Sequence, residues 1–148
     1  MSWIDDRLAD QKMLQEHQRQ VAERQRMIAE QAEAVYEKLW EEIKEVLKEM
    51  ASKGLKSFMN GLPLQRTIRR PGTIKEGTTS HPGHEIQVSL VADRQSISVT
   101  GDVRLSLQLD LSEDAVICLK LGGVPTTLRA AANSILDNFY FPELQPPV

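Results

Sequence analysis

Two imidazoles and a carboxylate fall within five residues in His81-Pro82-Gly83-His84-Glu85, the one stretch of this 148-residue sequence where metal-ligand types crowd together. A transition-metal site needs three or four such groups, held in place by neighbouring hydrogen bonds. The remaining histidine, His17, is far away in the chain, and the single cysteine, Cys118, lies in the apolar run Val116-Ile117-Cys118-Leu119, where it reads as a small buried strand residue. The plainer use of Pro82-Gly83 is a turn in a solvated loop. Neither a metal nor a cofactor is expected.

Gly122-Gly123 offers a second chemical opportunity, because it stands between an expected strand and an expected helix, where backbone amides gather at a helix N-terminus and can hold an anion. The Lys and the glycine spacing of a phosphate loop are missing, and no G-x-G-x-x-G occurs. An ordinary strand-to-helix turn with a threonine cap is the expectation. Asp93, Asp102, Glu113 and Asp114 stand in turn-like contexts, where acids bond to nearby backbone. No nucleophile is accompanied by a base, so an enzyme is not expected.

Charge is distributed unevenly. Residues 1–47 hold 11 acids and 7 bases, residues 48–75 hold 1 acid and 7 bases, and residues 76–148 hold 9 acids and 4 bases, which together give the net −3. The basic middle contains Lys48, Lys53, Lys56, Arg66, Arg69, Arg70 and Lys75, with Phe58 nearby. Lys53, Lys56, Arg66, Arg69, Arg70 and Lys75 are the candidates for contact with phosphates or another polyanion, if the loop and the strand that carry them lie together. Edge-strand protection and complementation of a helix C-terminus explain the same charges without a ligand. No aromatic interleaving or recognition motif accompanies them, so nucleic acid is not the favoured partner.

The elements that must carry these residues are easier to read. Ser2-Trp3-Ile4-Asp5 has the form of a capping box, and no Gly or Pro interrupts Trp3 to Ser52, a stretch crowded with good helix formers. Lys53-Gly54 supplies a suitable C-terminal cap. About fifty helical residues make a rod of roughly 75 Å. Leu14, Val21, Ile28 and Val35 recur every seven residues as an association seam, while Gln11, Gln18 and Gln25 occupy the matching d positions and Ala32, Leu39 and Val46 follow. Beyond Val35 the stripe broadens to Tyr36, Leu39, Trp40, Ile43, Val46, Leu47 and Met50, as on a helix that covers a globular core. The expected division is therefore a helical arm over 1–34, projecting or pairing with another copy, and a head over 35–148.

Past Gly54, alternation dominates. Leu64 to Arg70 is expected as a short edge strand and Thr73 to His84 as a polar loop. Ile86, Val88 and Leu90, then Ile97 and Val99, then Val103 to Leu111, then Ala115 to Leu121 give the strands of a meander, with Gly101-Asp102 as a hairpin signal. Leu128, Ala132, Ile135, Leu136 and Phe139 share one face of a final helix, and Phe139-Tyr140-Phe141-Pro142 is expected to pack against the rest.

The fold class expected is α+β: the long, partly coiled-coil-like N-terminal helix, a three- or four-stranded antiparallel meander and a C-terminal amphipathic helix, in two layers. With 41% hydrophobic residues, 26% charged, and no stretch of 18 apolar residues, collagen-like, disulfide-rich and membrane-spanning classes are excluded. The acids Asp5 and Asp6 stand where a signal peptide needs an apolar run, and cytoplasmic residence is expected. The functional expectation is a non-enzymatic protein that associates through its long helix, as a homo-oligomer of two or more copies or with a protein partner on the arm. Polyanion binding through residues 48–75 is the alternative.

Overall fold

A computed structural model describes residues 2–71, 74–75, 78–79 and 84–145. Helix α1 runs over Trp3–Ser52 without interruption. Ser2 is extended and its hydroxyl accepts from the Asp5 amide at 3.4 Å, so the helix starts on the cap that the serine supplies. At the other end Gly54 takes φ +89°; its amide donates to the Ala51 carbonyl, and that of Leu55 to the Met50 carbonyl, closing a Schellman motif. Leu55 and Met50 pack against the core at this closure.

Among the described residues nine strands follow: β1 Phe58–Leu62, β2 Gln65–Arg70, β3 Ile74–Lys75, β4 Thr78–Thr79, β5 His84–Leu90, β6 Ser96–Gly101, β7 Leu105–Leu111, β8 Ile117–Leu121 and β9 Val124–Thr126. Helix α2, Leu128–Tyr140, ends the regular structure apart from a 3₁₀ turn over Pro142–Leu144. Strands β3 and β4 form a small separate hairpin. The other seven make one antiparallel sheet in the order β1-β2-β5-β6-β7-β8-β9.

The fold class is α+β, as the pattern implied, but the sheet has seven strands where three or four were expected. The two edge strands, β1 and β9, lack strand alternation. Phe58-Met59-Asn60-Gly61-Leu62 is exposed throughout and pairs with β2, so Leu64 to Arg70 is not an edge strand. Val124-Pro125-Thr126 carries a proline that an edge strand tolerates and a central one does not. Gly122-Gly123 joins β8 to β9 with φ of +59° and +81°, the two successive left-handed positions of a tight hairpin. It is therefore a hairpin tip, not the expected strand-to-helix turn. Thr127 does cap α2, accepting from the Ala130 amide at 3.1 Å.

Alternation puts Ile68, Ile86, Val88, Ile97, Val99, Leu107, Leu109 and Leu119 on one face of the sheet, all buried. The residues between them, among them Gln65, Glu85, Thr100, Ser106 and Gln108, lie on the opposite, solvated face. Helices α1 and α2 cover the apolar face in one layer: Tyr36, Leu39, Trp40, Ile43 and Leu47 come from α1, and Ala132, Ile135, Leu136 and Phe139 from α2. The Tyr36 hydroxyl donates to the Val88 carbonyl at 2.6 Å, and the Tyr140 hydroxyl to the Lys56 carbonyl at 2.9 Å, so both buried phenols are satisfied. Burial pushes both phenols above the ordinary tyrosine pKa. Phe139 and Tyr140 meet edge to face at 5.2 Å, and Phe141 packs on the same core, as expected of the aromatic cluster.

Candidate association surface

The long helix outruns the sheet. Burial begins at Met27 and Ile28, and toward the N-terminus every described residue is exposed. Of the seam residues, Ile28 is 4% exposed within the core, and Val35 packs partly buried against it. Leu14 is 56% exposed, and Val21, 40% exposed, borders a cleft that Gln108, Asp110 and Lys120 of the sheet also line. The same seven-residue repeat thus serves two surfaces. The boundary between projecting and docked helix falls near Arg24, about ten residues before the position where the apolar stripe widens.

A polar belt fixes the helix at that boundary. The Arg24 guanidinium pairs with Asp110 of β7 and donates to the Leu111 carbonyl at 3.0 Å. Lys120 of β8 reaches the other oxygen of Asp110 at 2.8 Å. Gln95, in the turn before β6, donates to the Gln25 carbonyl at 2.9 Å, and Arg94, at φ +59° in the same turn, pairs with Glu33. These contacts come from three loops or strand ends far apart in sequence. Beside them a cleft of about 350 Å³ opens between the helix and the β7–β8 turn, lined by Arg19, Glu23, Met27, Leu111 and Ala115.

Lys120 first, and Arg24 with it, holds the Asp110 carboxyl at about 2, below its ordinary value of 3.8. Because folding lowers this pKa, the contribution is complete above about pH 4 and is lost as pH falls from 4 toward 2. Asp110→Asn should therefore lower the thermal midpoint at pH 7 by at most a few degrees, the pair being partly solvated, and should match wild type near pH 2. A gap that persists at acid pH would refute the assignment.

Ahead of the belt, the arm from Trp3 to Glu23 spans roughly 30 Å. Arg19 pairs with Glu16 at 2.6 Å, and Arg26, just inside the boundary, bridges Glu23 and Glu30. Such solvent-screened pairs add only modestly to an exposed helix. Trp3, Ile4, Leu8, Met13, Leu14 and Val21 are nevertheless between 40% and 73% exposed. At 3.6 residues per turn, Trp3, Leu14 and Val21 fall within about 20° of the direction taken by Ala32 and Leu39. The exposed stripe is the unburied continuation of the buried one.

The arginines of the basic segment, Arg66, Arg69 and Arg70, do not share one face. Alternation along β2 sends Arg66 and Arg70 to the helix-covered face and Arg69 to the other. Arg66 pairs with Glu37 at 3.0 Å and lies over the rings of Tyr36 and Trp40, at 5.6 and 5.3 Å. Arg70 lies over Phe139 and Tyr140, at 5.5 and 6.0 Å, and its buried Nε has no hydrogen-bond partner among the described residues. Arg69 pairs with Glu85 across the β2–β5 register, and Lys53 approaches Glu49 at 3.8 Å. Lys56 gives its carbonyl to Tyr140, and Lys75 stands in β3. The stacking was not legible in the sequence, because Tyr36, Trp40 and Phe139 are remote from β2 in the chain.

His81, Pro82 and Gly83 lie outside the described residues. His84 and Glu85 begin β5: His84 meets Asp102 through Nδ1 at 2.7 Å, and Glu85 faces Arg69. Among the described residues no three His, Cys, Asp or Glu side chains cluster as metal ligands, and no helix is long and apolar enough to cross a membrane. Compared with known proteins, the chain matches no family model, no curated protein and no solved structure.

Proposed function

We propose that this chain is a non-enzymatic, self-associating protein in which the arm, Trp3–Glu23, joins it to further copies of the same chain. One observation carries the reading: exposed Trp3, Leu14 and Val21 of the arm continue the direction of the stripe that the head buries. An isolated helix of this polarity is marginal in water, since nucleation is costly and propagation gains little. A second arm laid along the stripe removes Leu14 and Val21 from water, while Gln11 and Gln18 keep the pairing moderate. The head, locked to the helix by the Arg24–Asp110 belt, then fixes the direction in which each arm leaves.

Binding of a polyanion through residues 48–75 is the weaker reading, because Arg66, Arg69 and Lys53 already face carboxylates. Sedimentation equilibrium from low to high micromolar concentration tests the arm. Wild type should associate, and Leu14→Glu combined with Val21→Glu should weaken association at least tenfold while the head keeps a cooperative unfolding transition. A wild-type chain that is monomeric throughout sinks the proposal, and so does a double variant that associates like wild type.

A further inference from the structure

The outer edge of β1 is the second unprotected surface of this molecule. All five of its residues are exposed, Phe58 by 64%, Met59 by 44% and Leu62 by 68%, and its free side pairs with no strand among the described residues. It contains no charge and no proline, the devices that usually block strand addition. At the opposite edge of the sheet, β9 has one of them in Pro125.

Register decides what can pair there. Leu62 and Gln65 flank the two-residue turn Pro63-Leu64 and face each other across it, as a hydrogen-bonded pair does. Alternation then turns the amides and carbonyls of Met59 and Gly61 outward. An antiparallel copy of the same strand uses both outward residues in one register, with Met59 opposite Gly61 of the other copy and Asn60 opposite itself. Side-chain sizes agree with that register. Met59 lies on the helix-covered side of the strand, as does Ile68 opposite it, and Gly61 leaves a groove of about 190 Å³ against Trp40, Lys44 and Arg66. On the solvated side, Phe58 meets Leu62. Each copy thus offers Met59 where the other has room at Gly61, and β1 itself carries no charge.

We infer that β1 is a two-fold pairing edge, centred on Asn60, through which two copies of this chain join their sheets. The joined sheet has fourteen strands, seven from each copy, and Pro125 limits its extension at both outer edges. Five residues cover much less than the roughly 800 Å² per partner typical of a stable interface, so the pairing is weak and concentration-dependent. It is independent of the arm. Where both surfaces act, two different two-fold contacts on one chain build assemblies larger than a dimer.

Cross-linking reads the register directly. In an antiparallel pair, facing residues that are not hydrogen-bonded to each other have Cα atoms about 4.5 Å apart, a separation that a disulfide spans. With Cys118→Ser, Leu14→Glu and Val21→Glu as background, which removes the native thiol and the arm contact, Asn60→Cys should form a covalent dimer under oxidised glutathione at least tenfold faster than Phe58→Cys or Leu62→Cys. Equal rates at the three positions, or no dimer at position 60, would overturn the pairing. Without the added cysteines, Met59→Lys in the same background should abolish the association that remains at high micromolar concentration. It leaves the fold intact by circular dichroism, since Met59 is partly exposed. Association unchanged by Met59→Lys refutes the edge without touching the arm, whose own failure is read from Leu14 and Val21.

Discussion

Tyr36→Ala should lower the stability of the whole domain by about 3–5 kcal/mol, the range found when a large buried aromatic is truncated. Tyr36 is fully buried at the middle of the helix layer, holds the Val88 carbonyl through its hydroxyl, and forms the floor on which Arg66 stacks. Truncation opens a cavity between α1 and the sheet, orphans a strand carbonyl and removes one of two rings beneath a half-buried guanidinium. Tyr36→Phe separates these terms: it keeps the ring and should cost about 1–2 kcal/mol for the lost hydrogen bond. Chemical denaturation followed by circular dichroism at 222 nm checks both, because the far-UV signal reports mainly the long helix. Loss of head stability with the helix signal unchanged would show that α1 is an appendage and not half of the core.

Gly101→Val should be the next most damaging change, at about 3 kcal/mol or more. Gly101 ends β6 at φ +105°, and a Cβ there would stand 2.5 Å from the Glu85 carbonyl oxygen and 3.2 Å from the Ile86 Cα. Both are backbone atoms of the paired strand and cannot step aside without breaking the β5–β6 ladder. The conformational strain alone is of order 1–3 kcal/mol, and the collision adds to it. Gly122→Ala should cost much less, because no atom lies within 4 Å of its Cβ position although φ is also positive. Thermal midpoints of the two variants measure the contrast. Equal losses would mean that backbone conformation, and not the close strand approach, sets the requirement for glycine.

Much of this molecule is written in short-range pattern. The Ser2 cap, the Gly54 closure and the unbroken run between them specify α1 because helix propensity and capping act within a few residues. The alternations of Ile86 to Leu90 and Leu105 to Leu111 specify strands and the face each buries, because side chains along a strand alternate sides. The edge strands were not legible, since Asn60-Gly61 and Pro125 have no strand character of their own and pair only because β2 and β8 offer a ladder beside them.

The candidate surface divides the same way. Leu14, Val21, Ile28 and Val35 have one spacing and one chemistry, so the seam as a pattern belonged to the sequence. That Ile28 is buried and Val21 is not was decided by how far the sheet extends beneath the helix, and the sheet's extent is set by the β6 and β7 ends that bring Gln95 and Asp110 to Gln25 and Arg24. The basic segment followed suit: its charge was countable in the sequence, but the pleat of β2 separates Arg69 from Arg66 and Arg70, and only folding brings Glu37 and the rings of Tyr36, Trp40 and Phe139 to meet them. Local periodicity fixes which residues share a face. What that face touches depends on pairings that close over tens of residues.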